Sequence, residues 1–377
     1  MPRKRILLIT TIFPPQIGGP ATFIDRLAHA LAAAGQRVTV ICVTRARDKL
    51  ADVSRPFRVI RVGGRTQIET EIRSRIALVW QMLWHNVILV NGLEYPSWQA
   101  AVITRKTYFA KIVGDSLWET ARNNGLTTLD IEEFQSVKPE DDYLKRLENW
   151  RSRFLFRARL VVTPSQYLQN LVLGWGVPAE NTGIVPNGIP LDEYKNAQPF
   201  QRMNGALQVV FVGRLTNWKG VETLLLAAAQ VDGISIHIVG DGPAFPLLIV
   251  LAKQLGLGGR MKFWGRLDPE ALKSTLRDMH VLVLGSSYEG LSHTLIEAGA
   301  HGLPAIASDC GGNPDVIEDG INGLLIPYGD VSALAQALVR LRNSEEFRYR
   351  LACNAKANSA RFNFENTLEQ WMQILLS

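Results

Sequence analysis

The sequence predicts an α/β protein built from two doubly wound domains. Short β-branched runs alternate with helical stretches from the start of the chain to about Pro186, the mark of a parallel sheet flanked by helices. The same alternation restarts after a turn cluster. Length agrees, since 377 residues at 47% hydrophobic composition supply apolar material for two cores of ordinary size.

The first domain is assigned to residues 1–188. Its strands are expected at Arg5–Thr10, Arg37–Val43, Phe57–Val62, Asn86–Val90, Thr107–Val113 and Leu160–Thr163. The run Ile6–Ile9 behind Arg3, Lys4 and Arg5 is too short for the core of a signal peptide, so it reads as the opening strand. Thr22–Ala34 carries apolar residues at helical spacing and stops at Gly35, a helix followed by its terminator. The apolar residues of Ile76–Trp84 are expected to pack against the sheet. Pro186-Asn187-Gly188 and the polar stretch Asp192–Asn204 separate the domains.

The second domain, residues 189–361, takes strands Leu207–Val212, Ser235–Val239, Arg260–Phe263, Val281–Leu284, Pro304–Ala307 and Gly323–Ile326. Phe364–Leu376 is amphipathic around Trp371, and residues 362–377 are expected to form a helix packed back on the first domain. Two such domains facing each other would leave a cleft at the carboxyl ends of their strands, where open α/β sheets bind ligands.

Net charge is +6, unevenly placed: residues 1–185 hold 25 Lys and Arg against 16 Asp and Glu, and the remainder holds 16 against 19. A basic half suits an anionic membrane, a phosphorylated lipid or nucleic acid, and solvated surface charge explains it as well. No stretch approaches the roughly 18 apolar residues of a spanning helix. Three dispersed cysteines, Cys42, Cys310 and Cys353, form neither a disulfide framework nor a metal pattern. A cytoplasmic location is therefore expected, with peripheral contact on the inner face of the membrane left open.

Three segments carry chemistry. Glu289-Gly290-Leu291-Ser292-His293-Thr294-Leu295-Ile296-Glu297 follows a strand and opens a helix, so the N–H groups from about Ser292 to Leu295 and the positive helix end suit a phosphate. Its two carboxylates can accept hydrogen bonds from sugar hydroxyls. A nucleotide sugar, with a hydroxylated ring at each end of its diphosphate, matches that plan; a capping glutamate beside a solvent-exposed one matches the pair equally. Gly213-Arg214 through Lys219-Gly220 brings two cations to a strand end, Arg214 as a fork and Lys219 as a point charge. They could stabilise a leaving diphosphate, or else pair with acids such as Glu222. Pro14 to Thr22 contains Gly18-Gly19, which permits close approach of a ligand to the backbone. Dinucleotide and P-loop glycine fingerprints are absent, as is an Asp-x-Asp motif for a metal, and Glu140-Asp141-Asp142 reads as a solvated loop.

Taken together these segments resemble glycosyltransferase family 4 of the GT-B fold. Glu289-x7-Glu297 is the main signature. Supporting it in order are Pro186-Asn187-Gly188, Gly213-Arg214 with Lys219-Gly220, Val239-Gly240-Asp241-Gly242-Pro243, and Gly302-Leu303-Pro304 through Ser308-Asp309 to Gly311-Gly312-Asn313-Pro314. The resemblance implies retaining transfer of a hexose from a UDP- or GDP-hexose to a glycan, lipid-linked or small-molecule hydroxyl, with no metal or cofactor. It implies that the first domain binds the acceptor and the second the donor. Glu297 would bind the nucleotide ribose, Glu289 the transferred sugar, and Arg214 and Lys219 the diphosphate. Gly18, Gly19, Gly213 and the backbone of Gly290, Leu291, Ser292, Thr294 and Leu295 would complete the donor site, and His293 either hydrogen-bonds a donor sugar hydroxyl or phosphate or is an ordinary loop histidine.

Many relatives carry a His-Asp pair after the fifth strand, where this chain reads Gly114-Asp115. Asp115 is the candidate replacement, contacting donor sugar or acceptor as a catalytic residue, and Trp118 either stacks on a sugar or packs in the core. The basic stretch from Lys145 to Arg159 is either a membrane-surface helix or one that buries its aromatics. A phosphorylase or sugar-phosphate synthase is the alternative activity. A nonenzymatic anion or nucleic-acid binder is the remote one, and no nucleic-acid partner is expected.

Overall fold

The computed structural model describes residues 3–16, 18–44, 52–198, 203 and 205–377. Ile17 of the glycine-rich turn, and 199–202 and 204 of the polar stretch, lie outside the described residues. The chain divides into two compact units, Met1–Val185 with Asn366–Ser377, and Pro186–Glu365.

In the first unit, seven parallel strands run in the order β3-β2-β1-β4-β5-β6-β7. They are β1 Arg5–Thr10, β2 Arg37–Val43, β3 Arg58–Val62, β4 Val87–Asn91, β5 Tyr108–Lys111, β6 Ala158–Thr163 and β7 Thr182–Ile184. Leu7, Ile9, Val90, Ala110 and Val161 are fully or almost fully buried, because helices cover both faces of a parallel sheet and its central strands read as continuous apolar runs. The helix Gly19–Ala33 begins three residues before the expected start, with Pro20 in its first turn, where a missing N–H costs nothing. From the terminal helix Phe364–Leu376, Trp371 meets Phe23 with ring centroids 5.7 Å apart.

The helix Gln67–Trp84 departs from expectation. Ser74, Leu78, Gln81 and Met82 face the protein, whereas Ile76, Trp80, Leu83 and Trp84 stand in solvent. The apolar residues of 76–84 therefore do not all pack on the sheet; helical periodicity puts this stripe half a turn away from the inward row. The basic stretch, by contrast, buries part of its apolar set and leaves Phe156 exposed. On the helix Asp142–Arg157, Phe154 and Leu155 are in the core, and Trp150 stacks on Tyr95 at 4.1 Å.

In the second unit, six parallel strands run β10-β9-β8-β11-β12-β13. They are β8 Leu207–Val212, β9 Ile234–Val239, β10 Met261–Gly265, β11 Val281–Leu284, β12 Ala305–Ser308 and β13 Gly323–Ile326. Val209, Phe211, Ile236, Val283 and Ile306 form the centre of its core. The strand order reverses between β8 and β11, so the loops leaving their carboxyl ends diverge and open a crevice there.

Candidate functional site

Both motif loops of the second unit emerge at that reversal. After β8 come Gly213, Arg214 and a single 3-10 turn, Asn217–Lys219, and then the helix Val221–Ala229. Gly220 joins turn to helix with φ +69°, and a Cβ there would stand 2.0 Å from the Gly285 oxygen of the loop after β11. Only glycine fits both the left-handed conformation and that approach. The Ser287 N–H donates to the Trp218 carbonyl at 2.8 Å, tying the two loops together.

This closeness delivers Lys219 to Glu289. The ammonium lies 2.6 Å from Oε1, and the Ser286 hydroxyl donates to the same oxygen at 2.8 Å. The expectation that Lys219 pairs with an acid was framed around Glu222; the partner is instead Glu289, the first acid of the motif. Both side chains are mostly shielded from water, so screening of their attraction is reduced. The loop after β12 holds Glu289 from behind. Gly312 donates its N–H to the Glu289 carbonyl at 2.7 Å, and Gly311, at φ +57°, would place a Cβ 2.5 Å from that oxygen. The Ser308 hydroxyl donates to the Ser286 carbonyl, and Asn313 donates to the Ser308 carbonyl at 3.0 Å. Ser286 was not singled out from the sequence, although its position three residues before a motif acid is a signal for a hydroxyl–carboxylate contact.

The helix His293–Ala300 starts beside this pair. Ser292 is its N-cap and accepts from the Leu295 N–H at 3.3 Å, so one of the donors expected to face a phosphate is already used by the cap. Leu291, Ser292 and Leu295 are buried, Gly290 and Thr294 half-buried, and His293 exposed. Arg214 is exposed, and no carboxylate among the described residues pairs with its guanidinium. Within the helix, Glu297 is half-buried, and its carboxyl is pushed above the usual range first by burial and then by Glu193, against a smaller opposing pull from Lys273. Glu193 and Tyr194 come from the short turn Leu191–Tyr194, and Lys273 bridges to Glu193 at 2.6 Å. Sequence reasoning passed over this surround, because it is assembled from segments 24 and 104 positions away along the chain.

Gly18, Gly19 and Asp115 belong to the first unit. Gly18 caps the helix Gly19–Ala33, and Gly19 has open space where a side chain would stand. Asp115 requires a correction. It is fully buried and caps the helix Ser116–Asn123, with Oδ1 accepting from the Leu117 and Trp118 N–H groups and from Arg151 at 3.1 Å. Its Oδ2 accepts from Gln135 at 3.0 Å. A carboxylate enclosed and engaged in this way organises its own corner and does not face a substrate. Trp118 is a core residue, 1% exposed, whose indole N–H donates to the Leu129 carbonyl. Asp141 is not a bare solvated acid but the N-cap of the helix Asp142–Arg157. Among the described residues, no three His, Cys, Asp or Glu side chains gather as a metal site.

The site thus offers an unpaired cation, a cation held by a carboxylate, a helix start and a shielded acid, a set suited to an anion flanked by hydroxyls. Comparison with known proteins bears on the family and the fold. The family model described as Glycosyltransferase Family 4 matches residues 17–193, and the one described as Glycosyl transferases group 1 matches residues 193–358. The lipopolysaccharide core biosynthesis glycosyltransferase LpsE of Rhizobium meliloti is 31% identical over 170 residues, 45% of this chain and 49% of that protein. A D-inositol 3-phosphate glycosyltransferase of Nocardia farcinica is 29% identical over 231 residues, 56% of this chain and 51% of the relative. The chain spans about half the length of these curated relatives. Among solved structures, Anabaena HepE in complex with UDP and glucose superposes with a TM-score of 0.76 at 20% identity over 100% of both chains, which shows a shared GT-B fold. The chain belongs to glycosyltransferase family 4.

Proposed function

We propose that the protein transfers a hexose from a UDP- or GDP-hexose to a hydroxyl of a glycan, lipid-linked or small-molecule acceptor, with retention of configuration and without a metal. The observation that carries this is the convergence of Arg214, the Lys219–Glu289 pair and the Ser292-capped helix start at the strand-order reversal of the second unit. HepE, of the same fold, was solved with UDP and glucose, which supports a nucleotide sugar here.

In this reading the second unit binds the donor and the first the acceptor. The diphosphate rests against the backbone from Gly290 to Leu295. Arg214 and Lys219 neutralise the charge that grows on the leaving diphosphate, the task a metal performs elsewhere. Glu289 contacts hydroxyls of the hexose. Glu297 accepts from the ribose, whose hydroxyls replace hydration that burial removes from its carboxylate. The acceptor oxygen bonds to the anomeric carbon as the bond from that carbon to the phosphate oxygen breaks, and the departing phosphate takes the acceptor proton on the same face. No protein nucleophile is required.

Glu297→Ala and Arg214→Ala, each folded, are expected to lower transfer by about 10²–10³, the scale of losing a preorganised electrostatic contact. Wild-type turnover in both would remove the site assignment. Thermal-shift screening over nucleotide sugars identifies the donor, since a ligand of the native state raises apparent stability. Product anomer analysis by NMR tests retention, turnover in chelator tests the metal, and turnover that required inorganic phosphate would indicate a phosphorylase instead.

A further inference from the structure

The helix Gln67–Trp84 carries an outward row with a period of four: Ile68, Ile72, Ile76 and Trp80, all between 52% and 72% exposed. Such spacing drifts only slowly around a helix, so the row is one continuous stripe about 18 Å long. It widens at the carboxyl end of the helix, where Leu83 and Trp84 join it, with the Trp80 and Trp84 rings 6.0 Å apart and both in solvent. Scattered exposed apolar residues are ordinary; a contiguous stripe that includes two tryptophans marks an interaction surface.

What surrounds the wide end identifies the occupant. Only His85 and Asn86 separate Trp84 from β4, so this end lies at the amino-terminal edge of the first sheet, and the Asn86 N–H donates to the Arg5 carbonyl at 3.0 Å. Along the same edge β1, β2 and β3 each open with an exposed arginine, Arg5, Arg37 and Arg58. Arg105 and Lys106 precede β5. The segments 3–5, 33–38, 56–59, 83–88 and 103–108 that form this edge contain no Asp or Glu. Acids on the stripe helix itself are already matched, Glu69 by Arg73 at 2.5 Å and Glu71 by Arg75 at 3.3 Å. His85, beside Trp84, feels the result: after burial, the fields of Arg5, Arg58 and Lys106 lower its pKa.

We infer that this face of the first unit, the Ile68–Trp84 stripe with the arginine edge beside it, docks on an anionic lipid surface. Tryptophan rings with isoleucine side chains enter the headgroup boundary, while cations alongside meet lipid phosphates. A second copy of the chain fits less well, because a symmetric contact would oppose two cationic edges with no acid between them. The inference does not depend on which sugar is transferred, or on whether any is.

Vesicle flotation of the full chain tests it, using phosphatidylcholine alone and phosphatidylcholine mixed with phosphatidylglycerol in equal parts. Binding is expected on the mixed vesicles, weakening as salt rises, with a blue shift of tryptophan emission. Trp80→Ser with Trp84→Ser is expected to reduce the bound fraction about tenfold and to abolish most of that shift. Arg37→Gln with Arg58→Gln is expected to weaken binding to the mixed vesicles and to flatten its salt dependence. All four positions are on the surface, and circular dichroism verifies that the variants fold. Absence of lipid binding, or variants that float like the parent, overturns the inference, as does a dimer in sedimentation that the tryptophan pair disrupts.

Discussion

Replacing Lys111 by methionine is expected to stabilise the protein. Lys111 ends β5 only 7% exposed, and burial lowers its pKa from 10.5 to about 7. Its ammonium lies over the Phe23 ring, 3.4 Å from the centroid, with Trp371 at 5.9 Å. A shift of that size corresponds to about 4–5 kcal/mol of unfavourable burial near pH 6, of which cation–π attraction returns about 2 kcal/mol. The net gain from methionine, an unbranched side chain of similar length, is therefore about 2–3 kcal/mol. Its pH dependence has a definite sign. Between pH 7 and 10.5 the unfolded chain holds a proton that the folded one has lost, so the parent gains stability as pH rises through that window. Because the cation–π attraction offsets part of the shift, the variant's advantage should shrink by about 1 kcal/mol between pH 6 and pH 9. Urea unfolding followed by circular dichroism, parent against variant at both pH values, measures it. A variant less stable at both, or a difference independent of pH, would refute the reasoning.

Two further outcomes are expected. Asp115→Ala removes a helix cap and leaves Arg151 without its buried partner, which should cost about 3–5 kcal/mol in the same unfolding assay; a loss under 1 kcal/mol would show that the corner does not depend on Asp115. Glu297→Gln should raise the melting temperature at pH 7 while reducing the shift produced by a nucleotide sugar. Because the folded carboxyl holds its proton more tightly than the unfolded one, stability falls as pH rises through its raised pKa, and glutamine escapes that loss. The advantage should therefore fade toward pH 4.5, and one that grew on acidification would contradict this account.

The central strands were legible because continuous apolar runs between turn residues have few other uses; Arg5–Thr10, Leu207–Val212 and Val281–Leu284 fall where the pattern puts them. Thr182–Ile184 was not foreseen, being three half-buried residues at a sheet edge with no periodicity to display. The outward turn of Ile76, Trp80 and Trp84 was also hidden, since amphipathic periodicity gives the spacing of a stripe but not which stripe faces the sheet. At the site, the Glu289–Glu297 spacing and the helix start were readable from local order. The Lys219–Glu289 bridge was not, because it joins residues 70 positions apart and depends on how closely Gly220 meets Gly285. Asp115 did carry a usable signal, an aspartate just before a helical run, the ordinary composition of a cap.

That meeting of Gly220 with Gly285, repeated where Gly311 presses on Glu289, means the second unit's loops are braced by main chain pressed on main chain as well as by the Ser308 and Asn313 side chains. Arg214, Lys219 and His293 are mounted on this frame without being part of it. On the proposed function, such a scaffold would let the recognised base or sugar change through exchange of a few side chains while the proposed seat for the phosphates keeps its shape. New specificities can then arise in single steps, whereas any residue larger than glycine at 220 or 311 would dismantle the frame they all share.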